Sequence, residues 1–295
     1  MPEKRADILR IILTLSKVKI TVAVSFTTIT GYVLANGSFD KCMIAVTLGI
    51  FLLACSSSVI NHIQESRTDA AMSRTKNRPI PGGDVKPSNA LILAGAEWLA
   101  GSLILLLYVN GTALILGWAA MIWYNLVYTN LKRVTAHAVI PGSVIGAIPP
   151  LAGWAAAEVS LTDVRAWSMA LFFFSWQVPH FYLLVLKYGP QYEQAGLPAL
   201  TSYYNSFLMR LMIFLWIVTT SLAALLMYYF HVVRSAVTGI CLLLFSLWLV
   251  VVFFIPLVRQ KSDFSPFGYF MKINYYVLAV IIVLNLDHLF FRYLV

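Results

Sequence analysis

Three oxygen-bearing side chains stand four residues apart where a long apolar run of the sequence ends: Asn61, Glu65 and Asp69. On a continuing helix, residues spaced by four lie on one face, one above another. Amide and carboxylate oxygens suit Mg²⁺, which keeps several waters and typically shares the phosphates of a substrate. These three residues, called the oxygen triplet below, are the expected catalytic metal ligands, although such charges are also typical of a solvated loop at a membrane exit.

A basic cluster follows the oxygen triplet directly in the sequence, at Arg74, Lys76 and Arg78. Guanidinium and ammonium groups bind the phosphate oxygens that a metal ion leaves uncovered. Two carboxylates and an amide followed by three bases are what a diphosphate bound to Mg²⁺ would need. The stretch therefore predicts a diphosphate-binding site at these three bases.

The elements that must position this stretch are membrane helices. The 295-residue chain is 60% hydrophobic and only 11% charged, which is far too apolar for a soluble domain. Its apolar runs have the length that crosses a bilayer as a helix, and they lack the period of two that barrel strands need. We therefore predict an all-α polytopic membrane protein whose residues 1–295 form a single membrane-embedded domain. The nine predicted transmembrane helices are 17–35, 43–63, 90–109, 112–129, 137–157, 166–186, 208–230, 236–258 and 270–290.

The basic residues of the sequence are divided unequally between the two sides of the membrane. When the loops alternate sides from the N-terminus onward, 17 of the 21 Lys and Arg residues fall on one side. The positive-inside rule makes that side the cytoplasm, so we predict a cytoplasmic N-terminus and an outer C-terminus. The net charge of +9 is then a consequence of topology, and no nucleic-acid partner is expected. The two long loops, 64–89 and 187–207, are predicted to form a cytoplasmic cap over the active site.

Several stretches of the sequence match a known family of membrane proteins, in order along the chain. They are LSKVK (15–19), MSRTKNRPIP (72–81), YTNLKRVT (128–135), GAIPPLAGW (146–154), WQVPHF (176–181) and YEQAGLPAL (192–200). With Glu65 in place of an aspartate, the oxygen triplet resembles N-x-x-x-D-x-x-x-D, the first aspartate-rich motif of the UbiA superfamily of intramembrane prenyltransferases. WQVPHF and AGLPAL narrow the resemblance to the protohaem farnesyltransferases.

This resemblance implies a fold, a reaction and a set of partners. The nine helices would surround a central cavity that opens to the cytoplasmic side. The reaction would transfer a farnesyl group from farnesyl diphosphate to a vinyl group of haem b, giving haem o, with Mg²⁺ assisting departure of the diphosphate. Besides these substrates and the lipid bilayer, the implied partners are a downstream haem-modifying enzyme or the assembly machinery of a terminal oxidase.

The resemblance also extends the set of expected site residues. His180, inside the sixth helix, and His137, at the start of the fifth, are candidates to bind haem or another acceptor. The further candidates are Lys132 and Arg133 for diphosphate, Gln177 for the acceptor, and Tyr192 and Glu193 as a possible second set of ligands from the 187–207 loop.

Three departures from the family pattern leave the acceptor open. Glu65 replaces an aspartate, and Pro190 and Gln191 replace a pair of acids. The alternative function is a UbiA-type prenyltransferase for another aromatic, quinone or chlorin acceptor. A transporter is disfavoured, because transporters tend to place polar residues at the bilayer midplane in corresponding repeats, and no inverted repeat is evident.

Two expectations concern the surroundings of the site. Glu97, inside the third helix, is expected to pair with a base of the 64–89 loop or to contact substrate, and pairing is favoured because an unpaired carboxylate there would be costly. The short N-terminus has no Arg/Ser-rich presequence and contains Glu3 and Asp7, which favours a prokaryotic plasma membrane.

Overall fold

A computed structural model of the chain describes residues 2–259 and 264–290, with side chains from Ile8 onward. Within these ranges the structure contains only helices, turns and loops. Nine helical segments in them are long and apolar enough to cross a membrane, which confirms the predicted number. They are Val18–Asn36, Lys41–Gln64, Pro87–Tyr108, Gly111–Leu131, Ala136–Ala156, Val164–Gln194, Ser206–Tyr229, Ala236–Arg259 and Pro266–Phe290.

The α-helices are numbered in chain order. They are α1 (Pro2–Leu15), α2 (Val18–Asn36), α3 (Lys41–Gln64), α4 (Ser66–Ala71), α5 (Pro87–Tyr108), α6 (Gly111–Ile122), α7 (Thr129–Leu131), α8 (Val139–Gly142), α9 (Val144–Ala156), α10 (Val164–Gln194), α11 (Ser206–Tyr229), α12 (Ala236–Arg259) and α13 (Pro266–Phe290). A π-helical turn, Trp123–Tyr128, joins α6 to α7, and 3₁₀ turns cover Ala136–Ala138 and Leu200–Ser202.

Helix α1 was not among the predicted elements. Its Leu15 is buried and packs with Val59 of α3 and with Ala90 and Ala94 of α5. Only Ser16 and Lys17 separate α1 from α2, and Lys17 has left-handed backbone angles, φ 47° and ψ 46°. A non-glycine residue held in this region requires support from its surroundings and is often found at a functional site. The packing of α1 therefore fixes the position from which Lys17 projects.

Helices α2 and α9 approach each other very closely at small residues. A Cβ atom added to Gly31 would overlap the carbonyl oxygen of Pro150, and one added to Gly153 would overlap the carbonyl oxygen of Thr28. Such approach of two backbones needs glycine on both sides of the interface. The region around Pro149 and Pro150 stays helical, and the interruption of this spanning segment lies earlier, at Ser143.

The boundary of the predicted 187–207 loop is wrong. Helix α10 passes through Pro190 and continues to Gln194, so the first part of that segment is helical. Hydropathy marks where apolar residues end, whereas a helix continues as long as its backbone bonds and packing persist. Within this extension, a Cβ atom added to Gly189 would come within 2.6 Å of Thr201 Oγ1, so glycine lets the returning chain pass close to α10.

The predicted loop 64–89 folds into α4 followed by a series of turns. Of the basic residues counted for membrane orientation, Lys261 and Arg292 lie outside the described residues, and so do the side chains of Lys4 and Arg5. The orientation of the bundle in the membrane stays a prediction.

Candidate active site

The oxygen triplet spans the junction between α3 and α4. Helix α3 ends at Gln64, and Glu65 departs from ideal helical angles with φ −100° and ψ 3°. The four-residue backbone bonds nevertheless continue, from the Glu65 amide to the Asn61 carbonyl at 2.9 Å and from the Asp69 amide to the Glu65 carbonyl at 2.8 Å. Asn61 and Asp69 are each 1% exposed and Glu65 is 7% exposed. The predicted stacking is therefore present, and it is buried.

Each member of the oxygen triplet contacts a different basic residue. Lys17 Nζ donates to Asn61 Oδ1 at 2.7 Å. Lys132 forms an ion pair with Glu65. Arg78 Nη1 lies 2.7 Å from Asp69 Oδ2. Three bases from three separate parts of the chain thus meet three buried oxygen groups, and Lys17 is the one that sequence analysis did not assign.

Burial and the neighbouring charges act in opposite directions on the pKa of Glu65, whereas on the pKa of Lys17 burial outweighs neighbouring charges of both signs. Burial would raise the pKa of Glu65, but the neighbouring charges of Lys132 and Lys17 outweigh it and hold that pKa below its ordinary value. Burial, with repulsion from Arg78, lowers the pKa of Lys17 to about 7. Among the described residues Lys17 forms no ion pair. The site therefore contains a half-buried amine without a direct ion-pair partner among the described residues.

Turns after α4 bring Arg78 back to Asp69. The hydroxyl of Thr75, which is buried, donates to the Asp69 carbonyl at 2.9 Å, and the Arg78 amide donates to the Thr75 carbonyl at 2.9 Å. Arg74 and Lys76 are exposed instead, and the Arg74 guanidinium lies 4.5 Å from the centre of the Tyr188 ring. Of the three predicted bases in this loop, the structure brings only Arg78 to the oxygen triplet.

Arg133 contacts the end of α3 and not the oxygen triplet itself. Its Nη2 atom donates to the carbonyl oxygen of Gln64 at 2.6 Å. A cation at the C-terminal end of a helix satisfies a free carbonyl and interacts favourably with the helix dipole. Arg133 therefore stabilises the junction at which Glu65 is placed.

The π-helical turn Trp123–Tyr128 supplies neighbours that sequence analysis did not assign. Thr129, just after this turn, accepts a hydrogen bond from Asn61 Nδ2 at 3.2 Å. The hydroxyl of Tyr124 lies 3.5 Å from Lys17 Nζ. Asn125 exchanges hydrogen bonds with Ser57 of α3 at 2.7 and 3.0 Å. A π-helical turn shifts the faces of a helix and often occurs at functional sites. Here Asn125 and Thr129 contact α3, and Tyr124 contacts Lys17.

Aromatic rings connect the oxygen triplet with His180. Lys132 Nζ lies 5.7 Å from the centre of the Tyr128 ring, and that ring stacks on Phe181 at 5.9 Å with planes 7° apart. His180 is half-buried, and its ring lies 5.8 Å from Phe181 and 4.6 Å from Phe270 of α13. His180 Nδ1 is 3.0 Å from Asn274 Oδ1. The structure therefore places His180 on the same aromatic-lined side of the bundle as Lys132.

The other acceptor candidates are placed differently. Gln177 lies against α9, where a Cβ atom on Gly146 would come within 3.0 Å of its Oε1 atom. His137 is exposed, and its Nε2 atom is 3.0 Å from the hydroxyl of Tyr204. Gln177 is half-buried in α10, about one helical turn before His180. His137 instead contacts the segment before α11.

The two candidate ligands from the 187–207 loop, Tyr192 and Glu193, lie in different surroundings. Tyr192 lines a small cleft together with Tyr128 and Lys132, so it belongs to the surroundings of the site. Glu193 accepts hydrogen bonds from Thr201 Oγ1 at 2.8 Å and Ser202 Oγ at 2.7 Å. Glu193 therefore stabilises the turn that follows α10 and is not directed at the oxygen triplet.

The predicted pairing of Glu97 is wrong. Glu97 Oε1 accepts a hydrogen bond at 2.7 Å from the hydroxyl of Ser16, beside Lys17, and forms no ion pair with a described residue of the 64–89 loop. This contact could not be predicted, because α1 and its connection to α2 were not expected. Glu97 holds the segment that carries Lys17.

The chemistry of the oxygen triplet fits Mg²⁺ that is shared with a substrate. One amide and two carboxylates lie buried on neighbouring turns. In the described part of the chain, no group of three His, Cys, Asp or Glu side chains could hold a metal ion alone. Mg²⁺ is commonly bound by one or two carboxylates together with waters and substrate phosphates, so this donor set suits it.

Comparison with known proteins gives both family and fold. The model of the UbiA prenyltransferase family matches residues 24–276. The chain is 32% identical to protoheme IX farnesyltransferase 1 of Pseudomonas putida strain KT2440, over 94% of this chain and 93% of that protein. It is 37% identical to the protoheme IX farnesyltransferase of Alkalilimnicola ehrlichii, over 72% of each chain.

Solved structures share the fold at low sequence identity. A digeranylgeranylglyceryl phosphate synthase superposes with a TM-score of 0.76 at 17% identity, covering 95% of this chain and 98% of that one. A UbiA homologue from Archaeoglobus fulgidus bound to GPP and Mg²⁺ superposes with a TM-score of 0.67 at 12% identity, covering 95% and 99%. At these identities the likeness concerns the arrangement of helices.

Proposed function

Because this chain belongs to the UbiA prenyltransferase family, we propose that it transfers a farnesyl group from farnesyl diphosphate to a vinyl group of haem b, giving haem o. Relatives that are 31–39% identical and carry the name protoheme IX farnesyltransferase support this choice of substrates. The family and the nine spanning segments make the chain a multi-pass membrane prenyltransferase. We further propose the prokaryotic plasma membrane as its location.

The observation that carries this proposal is the set of three buried contacts between bases and the oxygen triplet. Asn61, Glu65 and Asp69 are the proposed ligands of Mg²⁺, which would supply positive charge to the diphosphate as it leaves. Lys17, Arg78 and Lys132 already lie beside these oxygens. A diphosphate next to the carboxylates would be within reach of all three bases.

The bases would act on the leaving group. When the bond between C1 of the farnesyl chain and its oxygen breaks, the electron pair leaves with the diphosphate. Preorganised cations in a site that excludes water stabilise such developing charge at little reorganisation cost. Lys17 is suited to this role because it is half-buried and has no ion-pair partner among the described residues. Arg78 and Lys132 would exchange part of their contact with carboxylates for contact with phosphate oxygens.

The acceptor would lie toward His180. The vinyl π electrons of haem b form the new carbon–carbon bond with the allylic cation, and the charge moves to the vinyl carbon beside the macrocycle. A water molecule adds there and loses a proton, which leaves a hydroxyethylfarnesyl substituent. Aromatic rings stabilise a nearby cation, and Tyr128 and Phe181 lie between Lys132 and His180. This arrangement supports ionisation at one end of the aromatic side and haem binding at the other.

The proposal is tested with the purified protein in nanodiscs, supplied with haem b, farnesyl diphosphate and Mg²⁺. Extracted pigments are separated by liquid chromatography and weighed by mass spectrometry. The expected product is a haem heavier by one farnesyl group and one hydroxyl group, and it is lost in Asp69→Asn. Asp84→Asn, an exposed change in the same loop, is the matched control and retains activity. Prenylation of 4-hydroxybenzoate without any haem product would contradict the proposed acceptor.

A further inference from the structure

The side chain of Asn274 connects His180 with the backbone of α13. Asn274 Nδ2 donates to the carbonyl oxygen of Phe270, one turn earlier, at 2.8 Å. Asn274 Oδ1 lies 3.0 Å from His180 Nδ1. A carbonyl oxygen can only accept, so the amide nitrogen must face Phe270 and the amide oxygen must face His180.

This orientation determines which ring nitrogen of His180 carries hydrogen. Because Asn274 presents an oxygen that can only accept, His180 Nδ1 must be the donor. In a neutral imidazole the other nitrogen, Nε2, then holds a lone pair. Nε2 has no hydrogen-bond partner among the described residues, although aromatic rings flank the imidazole: Trp176 at 5.0 Å, Phe270 at 4.6 Å and Phe181 at 5.8 Å.

We propose that Asn274 is a positioning residue that holds His180 as the Nδ1–H tautomer, so that Nε2 binds the iron of the haem acceptor. This inference rests on the proposed function and names the contact that would orient haem in that site. Histidines that bind metals almost always donate their other N–H to an acceptor, which fixes the ring and raises its basicity. The aromatic neighbours of His180 suit the flat apolar face of a macrocycle.

The test uses the full-length protein in nanodiscs with haem b alone, without farnesyl diphosphate. Absorption and resonance Raman spectra report whether iron is bound by histidine, and a redox titration gives the potential of the bound haem. The wild type is expected to show histidine-ligated haem, and His180→Ala is expected to lose that signature. Asn274→Leu removes the acceptor at similar volume and is expected to weaken haem binding by about tenfold.

Two further variants separate positioning from folding. Asn274→Asp keeps an acceptor and adds charge, so ligation persists while the reduction potential of the haem falls. Asn285→Leu is the matched control, because Asn285 also lies in α13 and donates to its own preceding turn, at Ile281, without contacting His180. Asn285→Leu is expected to leave the haem spectrum and potential unchanged.

The outcomes distinguish this inference from the proposed function. If Asn274→Leu and Asn274→Asp both match the wild type in haem affinity and potential, the positioning role is wrong while haem farnesylation still stands. If Asn274→Leu does not fold, the potential of Asn274→Asp decides in its place. A wild-type protein that binds no haem overturns the inference and the proposed acceptor together.

Discussion

Lys17, Arg78 and Lys132 reach the oxygen triplet from the α1–α2 junction, from the loop after α4 and from the end of α7. Each base holds one oxygen group, so the charges of the site are balanced in part before any substrate is present. A buried charge is costly unless it is paired. Among the three, Lys17 contacts only neutral partners, Asn61 and Tyr124. Its amine is the one most clearly available to an incoming anion, and the negative charge of that anion favours the protonated form.

Replacing Lys17 tests this difference. Lys17→Met keeps much of the side-chain volume but removes the charge, and kcat/KM for farnesyl diphosphate is expected to fall by about 100-fold, as when one preorganised stabilising group is lost. Lys19→Met, two residues away at an exposed position, is the control and should change kcat/KM less than threefold, on the order of surface effects. Steady-state kinetics in nanodiscs measures both. Equal losses in the two variants would show that general positive charge, and not Lys17, matters.

The two arginines of the 64–89 loop are expected to differ. Arg78 pairs with buried Asp69, whereas Arg74 is exposed and lies over the Tyr188 ring. Arg78→Gln removes a charge-assisted contact of the site and is expected to reduce kcat/KM by about 100-fold. Arg74→Gln loses an exposed cation–π contact, so its effect should stay within about fivefold. If Arg74→Gln is the more damaging change in a kinetic comparison, the diphosphate lies nearer the surface of the loop than proposed.

At the scale of elements, the close approach of α2 and α9 depends on glycine at the contact. Gly31→Ala would force a methyl group into the Pro150 carbonyl, and neither backbone can yield without moving a helix. Overpacking of this kind is expected to destabilise the protein by about 1–3 kcal/mol. Thermal unfolding in detergent, followed by circular dichroism, measures the effect.

A control for that change lies in α5. A Cβ atom added to Gly95 meets nothing within 4 Å, so Gly95→Ala is expected to be neutral or to stabilise by up to about 1 kcal/mol through helix propensity. If Gly95→Ala lowers the melting temperature as much as Gly31→Ala does, then loss of backbone flexibility, and not steric overlap, causes the destabilisation.

The helices that span the bilayer could be predicted from the sequence, whereas elements that depend on packing could not. Nine runs of apolar residues predicted nine spanning helices, because burial in a bilayer requires such runs and every backbone group must be bonded within the helix. Hydropathy carried no signal for α1, for the π-helical turn Trp123–Tyr128, or for the extension of α10 beyond the apolar run. These features depend on packing between distant segments.

The residues of the candidate site also fall into a group that could be predicted and a group that could not. The spacing of Asn61, Glu65 and Asp69 is local, and of the five predicted diphosphate-binding bases the structure brings Arg78 and Lys132 to them. Lys17 and Asn274 escaped assignment because their partners are distant in the chain, 44 residues away at Asn61 and 94 residues away at His180. Lys132 is also distant from Glu65, and it was assigned only through the family resemblance. A contact of that range has no local pattern.

At the scale of the whole molecule, the two ends of the bundle differ in their use of charge. At the end opposite the oxygen triplet, buried Asp287 accepts hydrogen bonds from the backbone amides of Arg234 at 2.7 Å and Ser235 at 3.1 Å. Both oxygens of this carboxylate therefore accept hydrogen bonds from the turn between α11 and α12. The end with the oxygen triplet instead gathers bases around oxygen groups that could exchange partners. We expect chemistry at that end alone.

The orientation of these ends follows from the positive-inside prediction. With a cytoplasmic N-terminus, Asp84 after α4 lies inside and Ser160 between α9 and α10 lies outside; both side chains are exposed. In a variant without its native cysteines, Ser160→Cys should react with a membrane-impermeant maleimide in intact cells, whereas Asp84→Cys should react only after permeabilisation. The reverse pattern would put the oxygen triplet on the outer side, away from a cytoplasmic supply of diphosphate substrate. Labelling of both positions in intact cells would indicate leaky cells and is checked with a cytoplasmic marker protein.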